Sequence, residues 1–158
     1  MNALPPIDIP HSWQPRHYQE NVVCNFGYGR PYQRASLVWH RRAGKDNCAL
    51  NITPPEMMPR NGTYWHLFPQ HNQARKAIWE GIWQDSQGRS QRIINQVFPK
   101  RLRYRTSSQE MSIRLHNFFD PAEEDGGPLW QMAGSDSYDT LVGTNPVGLG
   151  NSRLVSRL

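Results

Sequence analysis

The chain has 158 residues, the length of one domain, and its 37% apolar and 11% aromatic content can bury a core, which excludes a disordered polymer. No run approaches the about eighteen apolar residues of a membrane span, and the start "MNALPPIDIPHSW" lacks a basic n-region and an apolar h-region, so neither membrane insertion nor export is expected. A net charge of +5 favours polyanionic partners, while Cys24, Cys48 and six histidines show no zinc or redox spacing and suit a reducing cytoplasm.

Along the chain, residues 1–15 form a stiff, extended lead-in containing "LPPIDIP". Arg16 to Phe26 predicts a short helix with Tyr18, Val22 and Val23 turned inward. "RASLVWH" is a compact apolar run suited to a buried strand. After a Gly-Lys turn, "DNCALNIT" has helical length and is expected to stop at Pro54-Pro55. Gly62 opens "TYWHLF", an aromatic-rich strand ended by Pro69. "QHNQARKAIWEGIW" places Ala74, Ile78 and Ile82 on one helix face, with Trp79 and Trp83 as core packing one turn apart. "SQRIINQVF" extends the helical tendency to Pro99. "EMSIRLHNFF" alternates Met111, Ile113 and Leu115 with polar residues, the pattern of a half-buried strand. An acidic loop, "DPAEEDGG", follows; its Glu123, Glu124 and Asp125 are expected to be a solvated turn. A short strand, "PLWQMAG", precedes the turn-rich "SDSYDTLVGTNPVGLG". The alternation of strands and helices implies an α/β sheet with crossover helices.

The stretch "SLVWHRRAGKDNCAL" bears the most chemistry. A phosphate-binding loop needs convergent backbone N–H groups, a glycine where a side chain would collide, a helix N-terminus and a lysine. The usual spacing is G-x-x-x-x-G-K followed by Ser or Thr. Gly44 and Lys45 satisfy it, whereas Trp39 stands at the first glycine and Asp46 at the hydroxyl position.

"RRAGKD" preceded by "VWH" resembles the variant Walker A loop of bacteriophage terminase large subunits, the ATPases that pump DNA into capsids. The resemblance extends to "WQPRHYQ", like the family's adenine-recognition segment, and to "GTYWHLFPQHNQARKAIWEGI" and "LWQMAGSDSYDTLVGTNPVG", like the pieces preceding its Walker B strand. It covers most of residues 13–148. It implies a P-loop NTPase-like fold of RecA/ASCE type, a mostly parallel sheet flanked by helices, with residues 16–148 as the N-terminal portion of the ATPase domain. It also implies ATP and Mg²⁺ as ligands. Tyr18 would stack on the adenine and Gln19 would read its edge. Ala43 and Gly44 would bring main chain to the phosphates, and Lys45 would grip the β/γ pair. Arg42, or its neighbour Arg41, would act as an arginine finger in cis. Asp46 would replace the hydroxyl as a magnesium ligand. The implied partners are double-stranded DNA, the portal protein and the terminase small subunit, at the procapsid portal vertex in the host bacterial cytoplasm.

The family's catalysis also uses an acidic pair on a later apolar strand, but no acidic residue follows Asp139, and residues 149–158 read as a divergent tail. The resemblance includes no counterpart of the family's nuclease domain. An incomplete ATPase sheet is therefore expected: nucleotide binding, little hydrolysis by this chain alone, and marginal stability from uncovered apolar edges. The basic run Arg89, Arg92, Lys100, Arg101, Arg103 and Arg105 contains no acidic residue; it is a solvated face or a nucleic-acid-binding surface. His66 and His71 at a strand end suit local hydrogen bonding, and Asn145 before Pro146 suits a turn. Two alternatives remain, a helicase-like P-loop ATPase fragment and a non-catalytic basic nucleic-acid-binding remnant.

Overall fold

The computed structural model describes residues 13–40, 42–84, 87–118, 126–140 and 145–151. Its centre is a five-stranded sheet ordered β4-β5-β6-β1-β7. The strands are β1 (Thr63–Phe68), β4 (Arg103–Ser107), β5 (Ser112–Leu115), β6 (Leu129–Gly134) and β7 (Gly148–Asn151). β1 runs parallel to both β6 and β7, whereas β5 is antiparallel to β6 and to β4. The architecture is thus α/β with a mixed sheet, not the mostly parallel one expected. The hydrophobic alternation finds strands but is indifferent to their direction, and the short β4–β5 connection forces an antiparallel pair.

The main core lies on one face of this sheet. Tyr64 and Phe68 from β1, Trp130 and Met132 from β6, and Ile113 and Leu115 from β5 meet Ile78, Trp79, Phe98 and Leu102 there. Trp130 stacks almost parallel to Trp79 at 6.4 Å and tilts against Phe98 at 4.8 Å. Register explains the division between faces. Tyr64 lies opposite Trp130 and His66 opposite Met132, while Trp65 and Leu67 point the other way and pack with Ala133.

Helices α1 (His17–Asn25), α2 (Lys45–Met57), α3 (His71–Ala74) and α4 (Ile93–Val97) surround the sheet. α3 continues without a break into a wider π-type turn, Arg75–Trp79. Ala74 and Ile78 are buried as their spacing requires. Ile82, by contrast, is 69% exposed, because the helix has already ended and the chain has entered a hairpin of β2 (Ile82–Gln84) and β3 (Ser90–Arg92). β3 takes the residues expected to begin the next helix, which starts only at Ile93.

α2 does not stop at Pro54-Pro55; it runs through both to Met57. Proline's fixed φ is compatible with a helix, so the chain continues although Pro54 and Pro55 cannot donate to the Leu50 and Asn51 carbonyls; Pro54 itself is buried. In α1 the buried residue is Gln19, while Tyr18 is 43% exposed and Val22 and Val23 are only half-buried. The largest difference concerns "RASLVWH". It forms no strand: residues 34–40 are irregular, and Val38 is 91% exposed. Both sides of β1 are occupied by β6 and β7, so this run does not lie beside β1. Its Trp39 instead packs edge-on against Tyr18, with ring centres 5.3 Å apart.

Candidate functional site

The turn before α2 is built around Ala43, which is 1% exposed. Its amide donates to the His40 carbonyl, and its own carbonyl accepts from the Tyr18 hydroxyl at 2.9 Å and from Gln19 Nε2 at 3.1 Å. Gln19 Nε2 also reaches the Gly44 carbonyl at 3.5 Å, and Gln19 Oε1 accepts from the Arg16 amide. The Tyr18–Gln19 pair and the Gly-Lys turn are therefore brought together, although they lie about 25 residues apart in sequence.

The backbone reverses by left-handed conformations on both sides of Ala43, with φ of 66° at Arg42 and 75° at Gly44. Only glycine adopts that region without cost; Arg42 pays a small penalty held by the surrounding bonds. Gly44 is the N-cap of α2 and supplies no side-chain oxygen to the helix. The first-turn N–H groups of α2 consequently lack the cap that Ser, Thr, Asp or Asn would provide, and they add to the positive end of the helix dipole. Lys45 folds back over the turn, its Nζ donating to the Trp39 carbonyl at 2.7 Å. An ammonium has three donors, so two are left for an anion.

Asp46 occupies the first turn of α2, near His66 of β1. His66 is 1% exposed and stacks on Phe68; its burial pulls its pKa down to about 4, and the nearby Asp46 carboxylate pulls weakly the other way. The imidazole is therefore neutral at physiological pH. Among the described residues no three His, Cys, Asp or Glu side chains converge as a metal-holding group. His71 begins α3, and its amide donates to the Asp136 carboxylate at 3.3 Å. Asn145 is exposed in irregular chain. Arg41 and the acidic trio Glu123, Glu124 and Asp125 lie outside the described residues, while the Arg42 side chain is exposed.

Beside the turn lies a cleft of about 260 Å³ lined by Trp13, Gln14, Arg16, Gln19, Gly44, Asn47 and Trp83. Trp83 was expected in the core, but it sits half-buried on β2 and forms a wall of this cleft. Its periodicity with Trp79 is that of a helix, and nothing in the pattern announces the π-type turn that ends the helix first. Trp13 opens "WQPRHYQ" but, like Asn47, was not itself expected to line a site.

The basic run is divided by the fold. Arg92 lies on β3, Lys100 and Arg101 on a single 3₁₀ turn, and Arg105 on β4; all four are exposed, as is Arg89. Arg103 is different. Its guanidinium donates to the carbonyls of Phe98 (2.7 Å) and Ile94 (2.8 Å) and to Asn95 Oδ1 (2.7 Å), closing the end of α4. No helix among the described residues is long and apolar enough to cross a membrane.

Compared with protein-family models, curated proteins and solved structures, the chain matches none of them.

Proposed function

We propose that the turn from Trp39 to Asn47 holds the triphosphate tail of ATP, and that the chain is the nucleotide-binding portion of a terminase-like P-loop motor acting on double-stranded DNA. One observation carries this reading: α2 begins at a left-handed glycine without a side-chain cap, and Lys45 lies folded across that same turn. An anion there would meet orphan amides, the helix dipole and an ammonium together. Arg42, exposed at the rim, would add a second cation. Mg²⁺ would accompany the phosphates, with Asp46 as its one protein carboxylate from this turn and phosphate oxygens and water completing its shell. Portal protein and terminase small subunit would be the protein partners, and the exposed Arg89, Arg92, Lys100, Arg101 and Arg105 would face the DNA backbone.

Turnover would further need a carboxylate on a later strand to activate water, which residues 140–158 do not supply. Calorimetric titration of Mg-ATP into the wild type and Lys45→Ala tests the reading. Loss of one charge-assisted contact should weaken binding about 10- to 100-fold. Equal affinity for both proteins, or no binding by either, would leave the chain a basic polyanion-binding module.

A further inference from the structure

We infer that the loop from Tyr28 to Arg34, between α1 and the Gly-Lys turn, is a docking platform for single-stranded nucleic acid. Its two tyrosines stack on unpaired bases and its two arginines meet the phosphates. This goes beyond the nucleotide reading and does not depend on it.

Charge singles out the segment. Residues 21–45 contain Arg30, Arg34, Arg41, Arg42 and Lys45 and no acidic residue. The whole chain carries a net +5, so the remaining residues balance and the excess is concentrated here. Within it, Tyr28, Arg30, Tyr32 and Arg34 alternate two residues apart, and all four are exposed, Tyr28 by 59% and Tyr32 by 58%. An exposed aromatic taken singly needs no explanation; two within five residues, interleaved with guanidinium groups, do.

The loop is also held in shape. The Arg30 amide donates to the Gly27 carbonyl at 3.1 Å, closing a β-turn with Gly29 at its left-handed third position, φ 72°. The Tyr32 amide donates to the Asn25 carbonyl at 3.0 Å, and Gln33 Nε2 donates to the Gly27 carbonyl at 2.9 Å. Glu56 of α2 anchors the far side. Its Oε2 accepts from the Tyr28 amide at 2.6 Å, and a side chain at Gly27 would run into the same carboxylate. This acid is thus engaged with loop backbone. Arg30 Nη1 donates to the Val23 carbonyl, which fixes the guanidinium and leaves other N–H donors for an anion. Rings carried on a fixed backbone lose little freedom when a ligand arrives.

Two features choose the partner. Residues 28–34 include no Leu, Ile, Val, Met or Phe to form the apolar centre of a protein interface. Bases in a duplex are stacked on one another and closed to a tyrosine ring, whereas every unpaired base offers a π-face.

Fluorescence anisotropy tests this on the full chain, with a labelled oligothymidylate of about twelve nucleotides, an abasic strand of equal length and a duplex. The wild type should bind the oligothymidylate about tenfold or more tighter than the abasic strand. Tyr28→Ala with Tyr32→Ala should remove that advantage without changing abasic or duplex affinity, and Tyr28→Phe with Tyr32→Phe should keep it. Arg34→Ala should weaken both single strands alike and lower the salt slope by about 0.7. No preference for bases in the wild type would overturn the inference, as would a preference that survives the double alanine change or an Arg34→Ala slope equal to that of wild type. Parallel loss of duplex and single-strand binding in the alanine variant would overturn it too. Failure of the wild type to bind the oligothymidylate would overturn it and leave the tyrosines to a protein partner.

Discussion

Replacing Arg103 with Ala should destabilise the protein far more than replacing either of its charged neighbours. The guanidinium makes three hydrogen bonds of 2.7–2.8 Å, two of them to carbonyls at the C-terminal end of α4 and one to the Asn95 side chain. Burial lowers its pKa from the ordinary arginine value, so the cation sits in a partly dry site and depends on those acceptors. Hydrogen bonds to a charged group contribute about 1.5–3 kcal/mol each, but water would reach part of the vacated space and solvate the carbonyls. A net cost of about 2–4 kcal/mol follows, or roughly 4–16 °C in Tm for a chain of this size. Urea denaturation followed by far-UV circular dichroism measures it, with Arg101→Ala and Arg105→Ala as controls. Both control side chains are exposed, and each change should stay within about 0.5 kcal/mol of wild type. The same three variants sort the basic run by function. On double-stranded DNA, under the proposed contact, Arg101→Ala and Arg105→Ala should each reduce the salt dependence by about one ion, and Arg103→Ala, measured where it is folded, should not. A midpoint for Arg103→Ala equal to that of Arg101→Ala would refute the capping argument.

Two further outcomes follow from the core. His66 titrates near 4 when folded and near its ordinary 6.5 when unfolded, so the unfolded chain binds the extra proton as pH falls through that window. Stability should therefore be full above about pH 6.5 and drop by up to about 3 kcal/mol on acidification toward 4, a slope that His66→Gln should flatten in urea midpoints taken at stepped pH. A Cβ at Gly148 would lie 2.4 Å from Tyr64 Cδ1, whereas one at Gly150 would lie 3.1 Å from His66 Nδ1. Gly148→Ala should cost about 1–3 kcal/mol and Gly150→Ala distinctly less; a thermal melt giving the reverse order would contradict the β1–β7 register.

Elements with a strong local pattern were legible in the sequence. "TYWHLF" is bounded by Gly62 and Pro69 and forms β1 between those bounds. The alternation of Met111, Ile113 and Leu115 marked three residues that are each fully buried. "PLWQMAG" forms β6 from Leu129 onward. What escaped depends on neighbours distant in sequence. "RASLVWH" has the composition of a buried strand, but composition does not supply a partner, and the places on both sides of β1 are taken by β6 and β7. Gln19 turns inward against propensity because the Ala43 carbonyl, 24 residues away, needs a donor. Arg103 looked like one more surface charge until α4 ended beside it. At the candidate site, the order of Tyr18-Gln19 and the Gly-Lys turn was readable as motif, whereas the cleft was not: Trp13, Asn47 and Trp83 come from three segments far apart in the chain.

The sheet also has two unlike margins. On one side β4 presents the exposed Tyr104 and Arg105 beside an irregularity in its register, so its rim is bent and charged. On the other, β7 pairs only with β1 among the described residues and has Gly148 and Gly150 at alternate positions. Charge and bulging discourage another backbone from docking, while bare main chain accepts one. Among the described residues the two rims therefore differ in kind: one is bent and carries charge, the other is nearly all backbone.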